Sequence, residues 1–133
     1  MAKQYLTNAI NSSPTRAYPA AAAMQSIGGY AVKLNSNEKI VLCDTAGEMA
    51  LGIVTIDNDH LVAADDSVSV QLKDIGKAQI GANVSAMDEL AVNAAGKLVK
   101  ATAGDYVVAV ALGAYKSGTL GSVQLTRYKM PTE

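Results

Sequence analysis

One segment of the chain occurs twice in similar form, and this repetition limits most strongly what the chain can fold into. Residues Thr45–Thr55 read TAGEMALGIVT, and residues Thr102–Tyr115 read TAGDYVVAVALGAY. When Gly47 is aligned with Gly104, large and small side chains agree position by position. Side chains of a strand point alternately to its two faces, so each copy is predicted to be a strand that begins at a tight turn.

The second copy predicts a strand with two different faces. One face carries bulky side chains, those of Tyr106, Val108, Val110 and Leu112. The other carries small ones, those of Val107, Ala109, Ala111 and Gly113. A strand that is apolar on both faces is typical of a sheet interior. We therefore expect the bulky faces of both copies to share one core, and the small face to allow another layer to approach closely.

Three further blocks match in the same order. They are Tyr30-Ala31-Val32 with Leu90-Ala91-Val92, Ile40-Val41 with Leu98-Val99, and Ser69–Leu72 with Ser122–Leu125. Strands with frequent turns and no long helical pattern indicate an all-β fold. Two units are too few for an open solenoid. The sequence thus predicts a small barrel or sandwich formed by two similar β-units, at residues 28–73 and 88–128 of a β-domain that covers residues 28–133.

Residues 1–27 differ from the rest, since residues 1–18 are polar and show no sustained alternation and residues 19–27 are rich in alanine. They are predicted to form an extended N-terminal arm, in which Pro19–Ile27 is either a short helix or extended. The arm nevertheless carries side chains that a linker would not need. The predicted contacts with a capsid or a sister subunit are Tyr5, Leu6, Ile10, Arg16 and Tyr18.

Composition excludes several classes of function. The 11 basic and 12 acidic residues nearly cancel and form no basic stripe, which argues against a nucleic-acid partner. The chain shows neither a secretory signal nor a run of 18 apolar residues, so we expect no membrane partner. The 23 alanines, with no Phe and no Trp, predict a core of small side chains. The single cysteine, Cys43, lies in an apolar run and is expected to be buried.

The only cluster with metal-binding chemistry is Asp57-Asn58-Asp59-His60, with Asp65-Asp66 nearby. A calcium loop that began at Asp57 would need a glycine at its sixth position and a glutamate at its twelfth, where this chain has Val62 and Val68. His60 is the only histidine, which leaves zinc binding and nucleophilic catalysis without partners. The cluster is interpreted as a polar loop. We predict no catalytic residues, no metal and no cofactor, hence no enzyme.

The segment from Asp88 to Leu125, DELAVNAAGKLVKATAGDYVVAVALGAYKSGTLGSVQL, resembles the small decoration or cement proteins of tailed-phage heads. The shared features are an AAGK hairpin, a TAGD turn, a V-G-x-A-L-type strand and a closing V-x-L strand. The chain departs from the pattern at Met87-Asp88-Glu89-Leu90, where a glycine is expected before the aspartate, and at Ala109, where glycine is common. The resemblance covers most of residues 28–128 but not the arm.

The resemblance implies a structural protein on the outer surface of a virion, where it cements neighbouring major capsid proteins. It also implies a homotrimer made in the host cytoplasm. Anchoring of a head fibre, or another virion role such as a tail protein, is an alternative within the same class. The alternative outside it is a small trimeric β-barrel enzyme or ligand-binding module, because Gly52–Asp57 is similar to a motif of trimeric dUTPases.

Overall fold

The structure, a computed structural model, describes residues 12–56 and 61–132. The described residues form twelve strands and no helix. In chain order the strands are β1 (Thr15–Pro19), β2 (Met24–Gln25), β3 (Ala31–Leu34), β4 (Ile40–Leu42), β5 (Gly52–Val54), β6 (Leu61–Val62), β7 (Ser67–Gln71), β8 (Ile75–Gln79), β9 (Glu89–Val92), β10 (Leu98–Lys100), β11 (Tyr106–Ala111) and β12 (Leu120–Lys129). The prediction of an all-β fold is therefore confirmed.

The strands pair antiparallel in three sheets. The first sheet has the order β1-β7-β5-β3-β4, the second has the order β10-β9-β11-β12-β8, and β2 pairs with β6 in a two-stranded sheet. The five-stranded sheets are open, so the fold is a small sandwich and not a closed barrel. Of the two architectures that the sequence left open, the structure contains the sandwich.

The two large sheets have the same topology. When the second is read from its other edge, its order β8-β12-β11-β9-β10 corresponds strand for strand to β1-β7-β5-β3-β4. The registers also agree, since Val32 pairs with Leu42 in the first sheet as Leu90 pairs with Lys100 in the second. Even the isolated parallel bridge between Ala20 and Ile40 has its counterpart, between Ile80 and Leu98. We call residues 15–72 the first unit and residues 75–129 the second unit.

The turns of the two units correspond as closely as the strands. Four pairs of equivalent residues have positive φ in both units, and each pair contains at least one glycine. The pairs are Gly29 with Met87, Glu38 with Gly96, Gly47 with Gly104, and Asp65 with Gly118. Positive φ is favourable only for glycine, so these positions are dictated by the shared backbone rather than by the side chains that occupy them.

The first unit begins inside the segment that the sequence assigned to the arm. β1 pairs along its whole length with β7, from Thr15 opposite Gln71 to Pro19 opposite Ser67. The short helix considered for Pro19–Ile27 is not present, because Met24 and Gln25 form β2 and pair with β6. Sequence alternation is weak here because the burial along β1 does not alternate: Arg16 and Ala17 are both exposed, whereas Tyr18 and Pro19 are both half-buried. An arm separate from the sheets can thus extend no further than residue 14.

The alignment of the first block is wrong by two residues. The register places Val32-Lys33-Leu34, and not Tyr30-Ala31-Val32, opposite the same partners as Leu90-Ala91-Val92. A shift of two keeps every side chain on its predicted face, so the sequence pattern alone could not reveal the error.

The small face of β11 is the one that is fully buried, which corrects the prediction of a core shared by the bulky faces. Ala109 and Ala111 are inaccessible, whereas Leu112 is 40% exposed and Met49, the counterpart of Tyr106, is 48% exposed. A register shift between Val107 and Ala109 breaks the alternation, so that Val107 packs with a different cluster from Ala109. The bulge thus turns one strand toward two different cores.

The units stack head to tail. One face of the first sheet packs on its own β2–β6 layer, in a cluster made only of first-unit side chains. Its other face contributes Ala31, Cys43, Ala50 and Ile53 to the core of the second unit. The counterparts of Cys43 and Ala50 in the second unit, Ala101 and Val107, lie in a separate cluster that faces away from the first unit. The contact surfaces of the two units are therefore different, as in a heterologous interface.

The turn at Gly47 holds the units together by backbone hydrogen bonds. Its N–H donates to the carbonyl of Val92 at 2.9 Å, and its carbonyl accepts from the N–H of Tyr106 at 2.9 Å. A Cβ at this position would collide with the carboxylate of Asp105. Gly47 is thus required both by its φ of 78° and by the close approach of the second unit.

The alanine substitution Gly47→Ala should destabilise the fold more than Gly118→Ala. Gly118 has φ of 86°, but a Cβ there would meet no atom within 4 Å. Gly118→Ala should therefore cost only the left-handed backbone penalty of about 1 kcal/mol. Gly47→Ala adds the collision with Asp105 to that penalty. Urea unfolding of both variants measures the difference, and equal losses of stability would show that the close approach of the units at Gly47 carries no energy.

Candidate contact surfaces

Two of the predicted contact residues, Arg16 and Tyr18, lie in edge strand β1. The guanidinium of Arg16 is 5.1 Å from the centre of the Tyr18 ring, a cation–π geometry. Tyr18 packs partly buried against the core of the first unit, and Arg16 is exposed. Tyr18 is thus in part a core residue, and Arg16 is the side chain of this pair that is available to a partner.

The other predicted contacts, Tyr5, Leu6 and Ile10, lie outside the described residues, as does the cluster Asp57–His60. Of the acidic residues next to that cluster, Asp65 forms an ion pair with Lys39, and Asp66 accepts a hydrogen bond from the N–H of Ala63. These two carboxylates therefore have structural partners of their own. Within residues 12–56 and 61–132, no three His, Cys, Asp or Glu side chains converge on a site of metal size.

Sequence reasoning missed an apolar groove beside the first unit. Leu34 and Met49 line it, with exposed fractions of 39% and 48%, and its volume is about 270 Å³. The rest of its wall is formed by Lys33, Ala50, Leu51 and Arg127. We call it the Leu34–Met49 groove. The pattern placed Met49 on a core face and did not single out Leu34, because the exposure of both depends on where the second unit packs.

A second groove, of about 350 Å³, runs between the two sheets. Leu51 and Leu72 line it from the first unit, and their counterparts Val108 and Leu125 line it from the second. At its rim the Arg127 guanidinium donates to the carbonyl of Leu51 at 2.9 Å. The groove shares Leu51 and Arg127 with the Leu34–Met49 groove, so the two form one continuous, largely apolar surface.

An ion-pair network lies at the turn before β5. The ammonium of Lys33 is 2.8 Å from carboxylate oxygens of both Asp44 and Glu48. The hydrogen bond to Asp44 is the main reason that the pKa of Lys33 is raised. Burial alone would raise the pKa of Glu48, but hydrogen bonds from Lys33 and from the amides of Thr45 and Asp44 outweigh burial and lower it. Glu48 is therefore charged in the folded protein and holds the turn closed.

Replacing Glu48 by glutamine should reduce stability at neutral pH and flatten its dependence on acid. The pKa of Glu48 is lowered by folding, so its contribution is present above the ordinary glutamate pKa of about 4.3 and is lost as pH falls through the folded value. We expect Glu48→Gln to cost about 1–2 kcal/mol at pH 7. The cost should shrink below pH of about 4.

Glu38→Gln is the matched control, because Glu38 is an exposed carboxylate outside this network. Chemical unfolding at pH 7 and pH 3 measures both variants. The same pH profile for the Glu48 variant and the original chain would contradict the assignment.

Cys43 is buried, as the sequence predicted, with 1% of its surface exposed. Burial is the main cause that raises the pKa of its thiol to about 12. A thiol with so high a pKa is protonated at neutral pH and is a poor nucleophile. Cys43 is thus a packing residue of the interface between the units.

Comparison with solved structures gives an informative likeness. The fold is similar to the crystal structure of the N base of the head fiber protein gp8.5 of bacteriophage phi29, with a TM-score of 0.61. The match covers 87% of this chain and 96% of that chain at 14% sequence identity, which shows a common fold. No family model matches the sequence, and no curated protein matches it. The described part of the chain contains no helix long and apolar enough to cross a membrane.

Proposed function

We propose that this chain is a structural protein of a phage virion that attaches to the outer surface of the capsid. The observation that carries the proposal is the likeness to the base of a phage head fiber, which extends over nearly the whole of both chains. The sequence resemblance to phage head decoration proteins supports the same class independently, because it rests on turn and strand motifs and not on the overall fold.

Two roles within this class make different demands on the molecule. A cement protein clamps neighbouring major capsid proteins and so resists the outward stress of a filled shell. A fibre base binds the shell with one surface and carries a fibre with another. The likeness to the N base of a head fiber favours the fibre base as a second candidate beside the cement role. Both roles require capsid binding and neither requires catalysis.

Capsid attachment is proposed to use the N-terminal segment and the edge strand that follows it. Arg16, exposed on β1, marks the described end of this surface, and Tyr5, Leu6 and Ile10 are proposed to extend it. A homotrimer would multiply three such contacts through their high effective concentration. Each apolar side chain that becomes buried on the shell would contribute about 1–3 kcal/mol, partly offset by the entropy of ordering the segment.

Deleting residues 1–11 should leave the β-fold intact and weaken binding to shells. The deletion keeps Pro14, whose carbonyl accepts a hydrogen bond from the N–H of Leu72 at 2.7 Å, and all of β1. Loss of three apolar contacts should reduce affinity by about 100-fold or more. Thermal unfolding and co-sedimentation with purified shells measure the two effects.

Deleting residues 1–19 is the matched control, since it also removes β1 and its pairing with β7. That variant should lose stability as well as binding. Unchanged shell binding by the chain that lacks residues 1–11 would contradict the proposed use of Tyr5, Leu6 and Ile10.

The two roles separate in virions that lack this protein. If it is a cement, the shells should release their DNA at lower temperature or lower external osmotic pressure than complete shells. If it is a fibre base, the shells should keep their strength but lack fibres in electron micrographs. Shells that neither bind the purified protein nor change in its absence would overturn the proposed function itself.

A further inference from the structure

The head-to-tail arrangement leaves one unmatched surface at each end of the molecule. In the contact between the units, the first unit presents a back surface and the second unit presents a front surface. We call the equivalent, uncovered surfaces the free front, on the first unit, and the free back, on the second unit. Each can be located residue by residue, because the units correspond in strand order and register.

The free front consists of the first-unit residues that are equivalent to those with which the second unit contacts the first. Val92, whose carbonyl accepts from Gly47, is 1% exposed, and its counterpart Leu34 is 39% exposed. Tyr106, whose N–H donates to Gly47, corresponds to Met49, which is 48% exposed. The Leu34–Met49 groove is therefore the vacant half of an interface whose occupied form lies in the same molecule.

The free back lies on the outer face of the second sheet. Its turn glycine, Gly104, corresponds to Gly47. In the first unit the N–H of Gly47 donates to a carbonyl of the next unit, but the N–H of Gly104 donates instead to the carbonyl of Pro131 in the same chain, at 3.2 Å. Met130 packs on the cluster of Ala91, Ala101 and Val107. The segment that follows β12 thus occupies the place that a further unit would take.

Two residues of the first unit that differ from their second-unit counterparts also close the free front. Gln79 donates its N–H to the carbonyl of Gly29 across the unit interface at 2.8 Å, and its counterpart is Pro19, which has no N–H. A Cβ at Gly96 would lie 3.2 Å from the carbonyl oxygen of Ala31 across that interface, and the counterpart of Gly96 is Glu38. Proline and charged side chains are common ways in which edge surfaces avoid unwanted pairing.

We propose that the free front and the free back are complementary halves of a docking surface for further copies of this chain, and that Pro19, Glu38 and the segment Met130–Thr132 block that docking. A heterologous contact that does not close by rotation adds copies without limit. Terminal repeats of stacked proteins accordingly carry atypical, capping residues. The blocking residues thus limit each stack to the two units of a single chain.

The test opens each end separately. Pro19→Gln with Glu38→Gly opens the front, and truncation after Lys129 opens the back. Sedimentation velocity over a range of concentrations measures the mass of each variant and of their mixture against the unmodified chain. Each variant alone should sediment with the same mass as the unmodified protein. The mixture should form a complex of about twice that mass. A chain that carries all three changes should grow further with concentration.

In the fully opened chain, Leu34→Glu tests the free front and Leu61→Glu is its matched control. Both replace an exposed leucine, but only Leu34 lies on the free front. Leu34→Glu should abolish the association and Leu61→Glu should preserve it. If truncation prevents folding, as judged by circular dichroism, Met130→Asp opens the back instead. A folded, fully opened chain that sediments like the unmodified one, or association that is insensitive to Leu34→Glu, would overturn the proposal.

Discussion

The close contact between the two units is the constraint on which the rest of the structure depends. Backbone meets backbone at Gly47, with hydrogen bonds to Val92 and Tyr106, so the facing side chains must be small. Ala31, Cys43 and Ala50 meet this requirement from the first unit, and Ala109 and Ala111 do so in the second. The alanines at these positions are thus explained by the spacing of the layers. Close packing of small side chains replaces the aromatic burial that a chain without Phe and Trp lacks.

Much of the fold could be predicted from the sequence, because a repeated pattern is read twice. The all-β fold and the strands that the repeated blocks cover, namely β3 to β5, β7 and β9 to β12, were predicted near their observed positions. The strands β1, β2 and β6 were not predicted, since short edge strands such as Met24–Gln25 leave almost no periodic signal. The bulge in β11 was also missed, because the hydrophobic pattern of a strand does not show where its twist changes. This bulge decides which side chains of β11 enter the core.

The candidate surfaces were less predictable than the fold. Arg16 and Tyr18 were predicted as contact residues, and only the pairing of β1 with β7 shows that Tyr18 belongs partly to the core. The exposure of Leu34 and Met49 depends on where the second unit packs, which is a property of the assembled molecule. The glycine that the family pattern requires before Asp88 has a physical reason, since Met87 occupies that position with φ of 71°. The departure from the family pattern at Met87 thus indicated a turn with a strained backbone and did not indicate a contact site.

Stacking in one direction gives the molecule two ends that differ chemically. The free front of the first unit carries the exposed side chains of Leu34 and Met49, and the free back of the second unit is covered by Met130. Two units related by a two-fold axis would instead present the same surface at both ends. A protein that joins a shell to something outside it must bind two different partners on opposite sides. The internal repeat therefore produces, from one duplicated unit, the unlike ends that the proposed role as a fibre base requires.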